Sequence, residues 1–300
     1  MTDADPLFPG FTTDTFHTDG AEIFYRTGGA GPPLLLLHGF PQTGAMWARS
    51  AQLLAQNFRV VVPDLRGYGR SSGPVGEAFY TKRVMGRDFG ALMTSLGFET
   101  FNIAGHDRGG RVAYRLALDA PERIEKIAVL DILPTIEYWR SFASRSFAVG
   151  IYHWGFLAQP YPLPERLISG APEFYIDQKL KDWSGGDDLS PYDPAALEEY
   201  RAAARDPATL RAMCDDYRAG AGVDAEHDEA DEAAGRKITA PLQVLWGAKG
   251  IAQKSQGPLA VWRRWAETVS DLPMNSGHFI PEEQPEETAK ALASFFTKTV

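Results

Sequence analysis

Short apolar runs alternate with longer amphipathic stretches through the first 134 residues. Two short strands turning at Asp19-Gly20 are predicted at residues 16–27. A central strand is predicted at the buried apolar run 34–37 (LLLL), and further strands are predicted at residues 58–62 (FRVVV), 101–104 (FNIA) and 127–132. Helices are predicted at residues 45–56, 82–96 and 108–118. Because strands and helices alternate, the pattern predicts an α/β fold with a mostly parallel, doubly wound sheet.

The alternation stops after Pro134 and resumes near residue 241. The intervening chain is rich in aromatic residues, Pro, Gly and acidic residues, and it contains no clear strand. Further elements are then predicted at 241–246 (PLQVLW, strand), 259–265 (helix), 269–272 (strand) and from 285 onward (helix). We therefore predict an α/β core formed by residues 1–134 and 236–300, with a helical cap domain at residues 135–235.

Composition narrows the class of protein. With 44% hydrophobic and 23% charged residues in 300, the chain is typical of a globular protein. Its net charge of −9 disfavours nucleic acid and anionic membranes as partners, so an anionic ligand needs a local cluster of Arg or Lys. We expect no signal peptide and no membrane span. Cys214 is the single cysteine, which excludes an internal disulfide and favours the cytoplasm.

A candidate nucleophile lies between a predicted strand and a predicted helix, in Gly105-His106-Asp107-Arg108-Gly109. This is the context of the nucleophile elbow, with Asp107 where many hydrolases carry Ser. The alternative is a glycine-rich turn in which the Asp caps the helix.

Three further segments fit the same machinery. The loop His38-Gly39-Phe40-Pro41 would supply the Phe40 amide, which with the Arg108 amide would form an oxyanion hole. His278, before the last helix, is the candidate base. Many hydrolases with such an elbow carry the acid partner of the base in the turn that corresponds to residues 247–251, but this turn (GAKGI) has no carboxylate. The acid partner is therefore predicted to be Asp131. Asp131 could instead cap the following turn.

The neighbours of Asp107 point to an anionic substrate. A carboxylate nucleophile can displace a halide or open an epoxide, leaving an ester that a His-activated water hydrolyses. Arg108 and Arg111 are three residues apart on one helix and share a face near Asp107. Two carboxylates about 4 Å apart repel by roughly 4 kcal/mol at an effective dielectric of 20, so two arginines would give net attraction. The alternative is a solvated arginine face.

Several motifs resemble those of the fluoroacetate dehalogenases, over nearly the whole chain. They are GHDRGGR (105–111), LDILPT (130–135), IYHWGFLAQP (151–160) and DYRAGA (216–221). The residue after Asp107 is Arg108, whereas haloalkane dehalogenases and epoxide hydrolases usually carry Trp at this position.

The resemblance implies an α/β-hydrolase fold, no cofactor or metal, and a homodimer. It also implies that His153, Trp154 and Tyr217 donate hydrogen bonds to the departing halide, and that Trp183 lines the substrate path. The alternative is that these aromatic residues only pack the cap.

We therefore expect hydrolysis of a small haloacid, with fluoroacetate foremost, to glycolate and halide. An epoxide hydrolase is the first rival, because the His38–Pro41 loop and two cap tyrosines, Tyr152 and Tyr217, would also suit ring opening. A dehalogenase that prefers chloroacetate is a second rival, and a non-catalytic ligand receptor on the same fold is a third.

Overall fold

The computed structural model describes residues 5–186, 188–250 and 257–298. Within these ranges eight strands form one sheet, in the spatial order β1-β2-β4-β3-β5-β6-β7-β8. The strands are β1 Thr12–Thr18, β2 Ala21–Gly28, β3 Pro33–Leu37, β4 Arg59–Pro63, β5 Phe101–His106, β6 Ile124–Leu130, β7 Leu242–Gly247 and β8 Val269–Met274. β2 pairs antiparallel with β1 and β4, and all other neighbours run parallel. The predicted α/β class is confirmed.

Helices follow most of the strands and cover the sheet. The first part of the chain contributes α1 Ala48–Leu54, α2 Lys82–Ser95 and α3 Asp107–Asp119. Between β6 and β7 come α4 Thr135–Ser141, α5 Arg145–Gly150, α6 His153–Leu157, α7 Leu163–Ser169, α8 Pro172–Trp183, α9 Pro194–Arg205, α10 Pro207–Ala221 and α11 Val223–Ala233. The last part adds α12 Pro258–Trp265, α13 Ile280–Glu283 and α14 Pro285–Thr297.

The sheet strands are buried because helices cover them. Leu34 to Leu37 on β3 and Val60 to Val62 on β4 expose no surface. Outside the sheet, α1 packs against α14 and α2 packs against α3. Continuous apolar runs are what parallel strands need when both faces are covered.

We call α4–α11 the cap helices. The longest of them, α10, contacts α6, α7, α9 and α11, so it lies at the centre of the group. Where the core and cap domains begin and end stays a prediction. No helix of the described ranges is both long and apolar enough to cross a membrane.

The first hairpin differs from its sequence prediction. Its turn is at Asp19-Gly20 as expected, but β1 begins at Thr12 and pairs that residue with Thr27, whereas the sequence predicts a start at Phe16. β1 is polar and largely exposed. An edge strand of this kind lacks the apolar alternation that would mark its first residue.

The candidate functional residues follow the carboxyl ends of parallel strands. Phe40 follows β3, Asp107 follows β5, Asp131 follows β6 and His278 follows β8. Because these strands run in the same direction, the four residues emerge at one edge of the sheet.

Candidate active site

Asp107 lies on a tight turn between β5 and α3. Its φ is 45°, a left-handed conformation that is rare for a residue with a side chain. The turn requires glycines on both sides: a Cβ on Gly105 would overlap the backbone of Gly109, and a Cβ on Gly109 would overlap the carbonyl of His38. The sequence motif therefore forms the sharp strand-to-helix turn typical of a nucleophile elbow.

The Asp107 carboxylate is buried and held by the loop after β3. The Phe40 amide donates a 3.0 Å hydrogen bond to Asp107 Oδ1. Gly39 allows this approach, because a Cβ there would overlap the Asp107 side chain. The described hydrogen bonds include none from the Arg108 amide to this carboxylate, so the second oxyanion donor stays a prediction.

Nearby cations keep Asp107 ionised. Burial alone would raise the pKa of this carboxyl, but the charges of His278, Arg111 and Arg108 outweigh burial and lower the pKa below its ordinary value. The side chain can therefore act as a carboxylate at neutral pH.

His278 and Asp131 form a pair beside Asp107. His278 Nδ1 donates to Asp131 Oδ2 over 2.6 Å, and the Gly247 amide donates to Asp131 Oδ1 over 2.9 Å. Asp131 has a φ of 51° and does not cap the following helix, whose first turn is preceded by Pro134. With Nδ1 protonated, Nε2 carries the lone pair.

The imidazole of His278 is suited to accept a proton. Its Nε2 lies 4.0 Å from Asp107 Oδ2, too far for a direct hydrogen bond. Burial lowers its pKa, but the hydrogen bond and charge of Asp131 and the charge of Asp107 more than offset burial, so the pKa is raised.

Sequence reasoning did not find the residue that fixes the histidine loop. Glu283 accepts hydrogen bonds from the amides of Gly277, Phe279 and Gly185, at 2.8, 3.1 and 2.9 Å. This carboxylate therefore holds the backbone on both sides of His278 and joins it to the end of α8. No sequence motif marks Glu283.

His106, next to the proposed nucleophile, also supports the loop rather than the chemistry. Its Nε2 donates to the His278 carbonyl over 2.9 Å, and burial lowers the pKa of its ring to about 3. The imidazole is therefore neutral.

Arg108 and Arg111 are buried, which excludes a solvated face. They expose 0% and 1% of their surface. Arg111 Nη1 donates to the Leu133 carbonyl at 3.0 Å and to Thr135 Oγ1 at 3.2 Å, whereas its Nε and Nη2 have no partner among the described residues. Arg108 is paired with Asp216, with Nη2 at 2.7 Å from Oδ1.

The two arginines also share an aromatic neighbour. The Trp154 ring centre lies 4.5 Å from Arg111 Cζ and 5.5 Å from Arg108 Cζ. Asp216 was absent from the sequence prediction, although it opens the DYRAGA motif.

The three predicted halide donors form one buried cluster. The ring centre of Tyr217 lies 5.8 Å from that of His153 and 5.9 Å from that of Trp154. Burial raises the pKa of Tyr217 and lowers that of His153, so both side chains are neutral. Of their polar side-chain atoms, His153 Nδ1 is buried without a hydrogen-bond partner in the described part of the chain. The indole N–H of Trp154, the O–H of Tyr217 and a protonated ring nitrogen of His153 are all groups that can donate a hydrogen bond to an anion.

Trp183 and Phe40 close the site. The Trp183 ring centre lies 4.5 Å from that of His153, 5.7 Å from that of His278 and 6.3 Å from that of Phe40. A surface cavity of about 440 Å³ reaches both Trp183 and His278, and Lys179 and Lys249 contribute to its wall. His278 and Trp183 therefore both line a cavity that opens at the surface.

The fold and this site define an α/β hydrolase. Residues 32–163 match the family model of the alpha/beta hydrolase fold. A solved structure from Nostoc sp. PCC 7120, described as an alpha/beta hydrolase, superposes with a TM-score of 0.93 at 48% identity, covering 96% of this chain and 99% of that one.

Two curated relatives refine the assignment. The fluoroacetate dehalogenase of Burkholderia sp. is 42% identical over 294 residues, 97% of this chain and 95% of that protein. The soluble epoxide hydrolase of Corynebacterium sp. (strain C12) is 30% identical over 279 residues, 93% of this chain and 94% of that protein. This chain belongs to the fluoroacetate dehalogenase family.

Proposed function

We propose that this chain hydrolyses haloacetates, with fluoroacetate as the foremost substrate, to glycolate and halide. The observation that carries the proposal is Arg111, a buried guanidinium beside the ionised Asp107, with two nitrogens that have no hydrogen-bond partner among the described residues. A substrate carboxylate would satisfy both nitrogens in a bidentate contact and compensate the charge. The 42% identical fluoroacetate dehalogenase adds support.

In the first step, one oxygen of Asp107 attacks the substrate Cα. A C–O bond forms, the carbon–halogen bond breaks, and the halide leaves with the bonding electron pair. Arg111 and Arg108 hold the substrate carboxylate, while His153, Trp154 and Tyr217 donate to the developing halide. Neutral donors suit this task, because they stabilise charge that is absent in the ground state.

In the second step, His278 Nε2 removes a proton from water, whose oxygen attacks the Asp107 carbonyl carbon. The Phe40 amide, which already donates to Asp107 Oδ1, would hold the oxyanion, and the Arg108 amide would add to it. The intermediate collapses to release glycolate, which takes its hydroxyl proton from His278. Loss of one proton to solvent restores Asp107, so haloacetate and water yield glycolate, halide and a proton.

Epoxide hydrolysis is the second candidate, favoured by the 30% identical relative from Corynebacterium sp.. Ring opening would draw on two tyrosines, but Tyr152 is 48% exposed whereas Tyr217 is 1% exposed. An uncharged epoxide would also leave Arg111 unpaired. Both points favour a haloacid.

The deciding experiment is halide release from fluoroacetate and chloroacetate, alongside diol formation from an uncharged epoxide. We expect turnover of both haloacids and none of the epoxide. Preference for the epoxide would contradict the proposal, and lack of any turnover would favour a ligand receptor. The homodimer and the cytoplasmic location predicted from sequence stay predictions.

A further inference from the structure

Arg108 is held by a carboxylate of the cap. Asp216, on α10, receives Arg108 Nε at 2.9 Å on Oδ2 and Nη2 at 2.7 Å on Oδ1. Arg108 Nη2 also donates to the main-chain carbonyl of Asp216 at 2.8 Å. Both side chains are fully buried. The Nε–Nη2 edge of the Arg108 guanidinium therefore donates its hydrogen bonds to the cap.

The two arginines beside Asp107 consequently offer different donors to a ligand. A guanidinium has one N–H at Nε and two at each terminal nitrogen. In Arg108 only Nη1 lacks a partner within the described residues, whereas in Arg111 Nε and Nη2 both do. Arg111 can therefore present a two-pronged fork, and Arg108 can present a single nitrogen.

The charges around Arg108 cancel. Lys82 also donates to Asp216, and its Nζ lies 3.5 Å from Asp224 Oδ2. Two cations thus face two carboxylates, all at most 3% exposed. Burial raises the pKa of Asp216, but Arg108 and Lys82 outweigh burial and keep it far below its ordinary value. The net positive charge available to a substrate therefore comes from Arg111.

The same segment of α10 also sets the position of Arg108. Tyr68 donates to Asp216 Oδ2 at 2.8 Å, which fixes the carboxylate. The Tyr217 ring centre lies 4.3 Å from Arg108 Cζ. One turn after Asp216, a Cβ on Gly220 would lie 3.0 Å from Arg108 Nη2, so a larger residue would crowd the guanidinium. Asp216, Tyr217 and Gly220 together enclose Arg108.

We propose that Asp216 is a positioning residue for the substrate carboxylate. By occupying the Nε–Nη2 edge of Arg108, it leaves Nη1 as the one guanidinium nitrogen of Arg108 without a partner among the described residues, and it reserves the bidentate contact for Arg111. The substrate carboxylate then accepts a bidentate contact from Arg111 and one hydrogen bond from Arg108, which fixes the substrate Cα for attack by Asp107. This inference rests on the proposed function.

The test compares Asp216→Asn with Asp224→Asn. Both substitutions remove a buried carboxylate bound to Lys82, but Asp224 does not contact Arg108. Fluoride release gives kcat and KM. Each substitution is also combined with Asp107→Ala, and these double variants are titrated with fluoroacetate by calorimetry. The titration gives the affinity, and its stoichiometry gives the fraction of sites that can bind.

For Asp216→Asn we expect kcat per competent site to fall about tenfold or more, because a freed Arg108 edge competes with Arg111 for the carboxylate. KM should stay the same or fall, because Arg108 loses the carboxylate that directly contacts its guanidinium. Asp224→Asn should keep both constants within about twofold of the parent, even if its melting temperature falls.

If Asp216 had a purely structural role, both variants would show a lower binding stoichiometry and a lower melting temperature, and their kcat values per competent site would be the same. Equal kcat values in the two variants, or an unchanged kcat in Asp216→Asn, would therefore overturn the inference. If Asp107→Ala itself failed to bind fluoroacetate, the proposed function would be overturned and this inference with it. This outcome is distinguishable because it appears in the variant that still carries Asp216.

Discussion

His278 Nδ1 lies 2.6 Å from Asp131 Oδ2, although 147 residues separate the two in sequence. The pair forms because β6 and β8 run parallel on either side of β7 and deliver their following residues to the same edge of the sheet. Since Nδ1 donates to the carboxylate, Nε2 is the nitrogen left to accept a proton from water.

Replacing the base should separate the two chemical steps. In His278→Asn, Asp107 can still displace halide, but hydrolysis of the ester should stall. We expect one halide per active site and a glycolyl mass gain on the peptide that contains Asp107. Asp107→Ala should give neither. Repeated turnover by His278→Asn would exclude the proposed role of His278.

The pH dependence should reveal the influence of Asp131 on the base. Only neutral His278 can accept a proton, so hydrolysis should fall as the pH drops through its pKa, which Asp131 and Asp107 raise above the ordinary value of a histidine. Asp131→Asn removes the hydrogen bond and charge that raise this pKa. Its acid limb should therefore move to lower pH, with kcat reduced by roughly two orders of magnitude. An acid limb at the same pH in both proteins would contradict the assignment.

Arg111 should dominate binding of the haloacid. Arg111→Gln leaves the substrate carboxylate and Asp107 facing each other, a repulsion of roughly 4 kcal/mol at an effective dielectric of 20. We expect kcat/KM for fluoroacetate to fall about a hundredfold or more. Arg111→Lys should also be poor, because an ammonium group has no fork.

The exposed Arg87 provides the control, since Arg87→Gln removes the same charge away from the site. Near-normal kinetics in Arg111→Gln would mean that the substrate is held elsewhere.

The cluster of donors in the cap should matter more for fluoride than for chloride. Fluoride departs only if its developing charge is well stabilised, so Trp154→Phe or Tyr217→Phe should slow defluorination by roughly two to three orders of magnitude. Dechlorination should fall much less.

The ratio of the two rates is the measurement, because a damaged cap would slow both reactions alike. Tyr152→Phe, at an exposed tyrosine on the adjacent surface, should leave the ratio unchanged. Parallel losses on both substrates would instead give Trp154 and Tyr217 a structural role.

The sheet was predictable because burial on both faces leaves a direct trace in sequence. The run at residues 34–37 is apolar without interruption, and the run at 101–104 is interrupted only by the buried Asn102; both are central strands. The elbow was predictable for a similar reason, since its turn needs glycines at 105 and 109 whatever the rest of the fold does. The start of β1 and the individual cap helices were not, because their exposed residues follow no strict period.

The supporting contacts of the site were hidden from sequence for another reason. The pairing of Arg108 with Asp216 joins residues 108 positions apart, and no local pattern specifies which edge of a guanidinium a distant carboxylate will occupy. The role of Glu283 is equally hard to predict from sequence, because its carboxylate accepts hydrogen bonds from backbone amides, which any sequence provides. The sequence therefore predicts the candidate reacting groups, whereas the packing of distant residues determines how those groups are oriented.

Asp107 and Asp131 are the two non-glycine residues with positive φ in the described chain, at 45° and 51°. Left-handed backbone costs an ordinary L-residue roughly 1–2 kcal/mol, somewhat less for Asp, and glycine adopts it freely. Glycine would relieve this backbone cost at either position, but it would also remove a carboxylate that accepts buried hydrogen bonds, from Phe40 in one case and from His278 and Gly247 in the other. The two strained residues are therefore places where a stabilising glycine substitution would dismantle the candidate site.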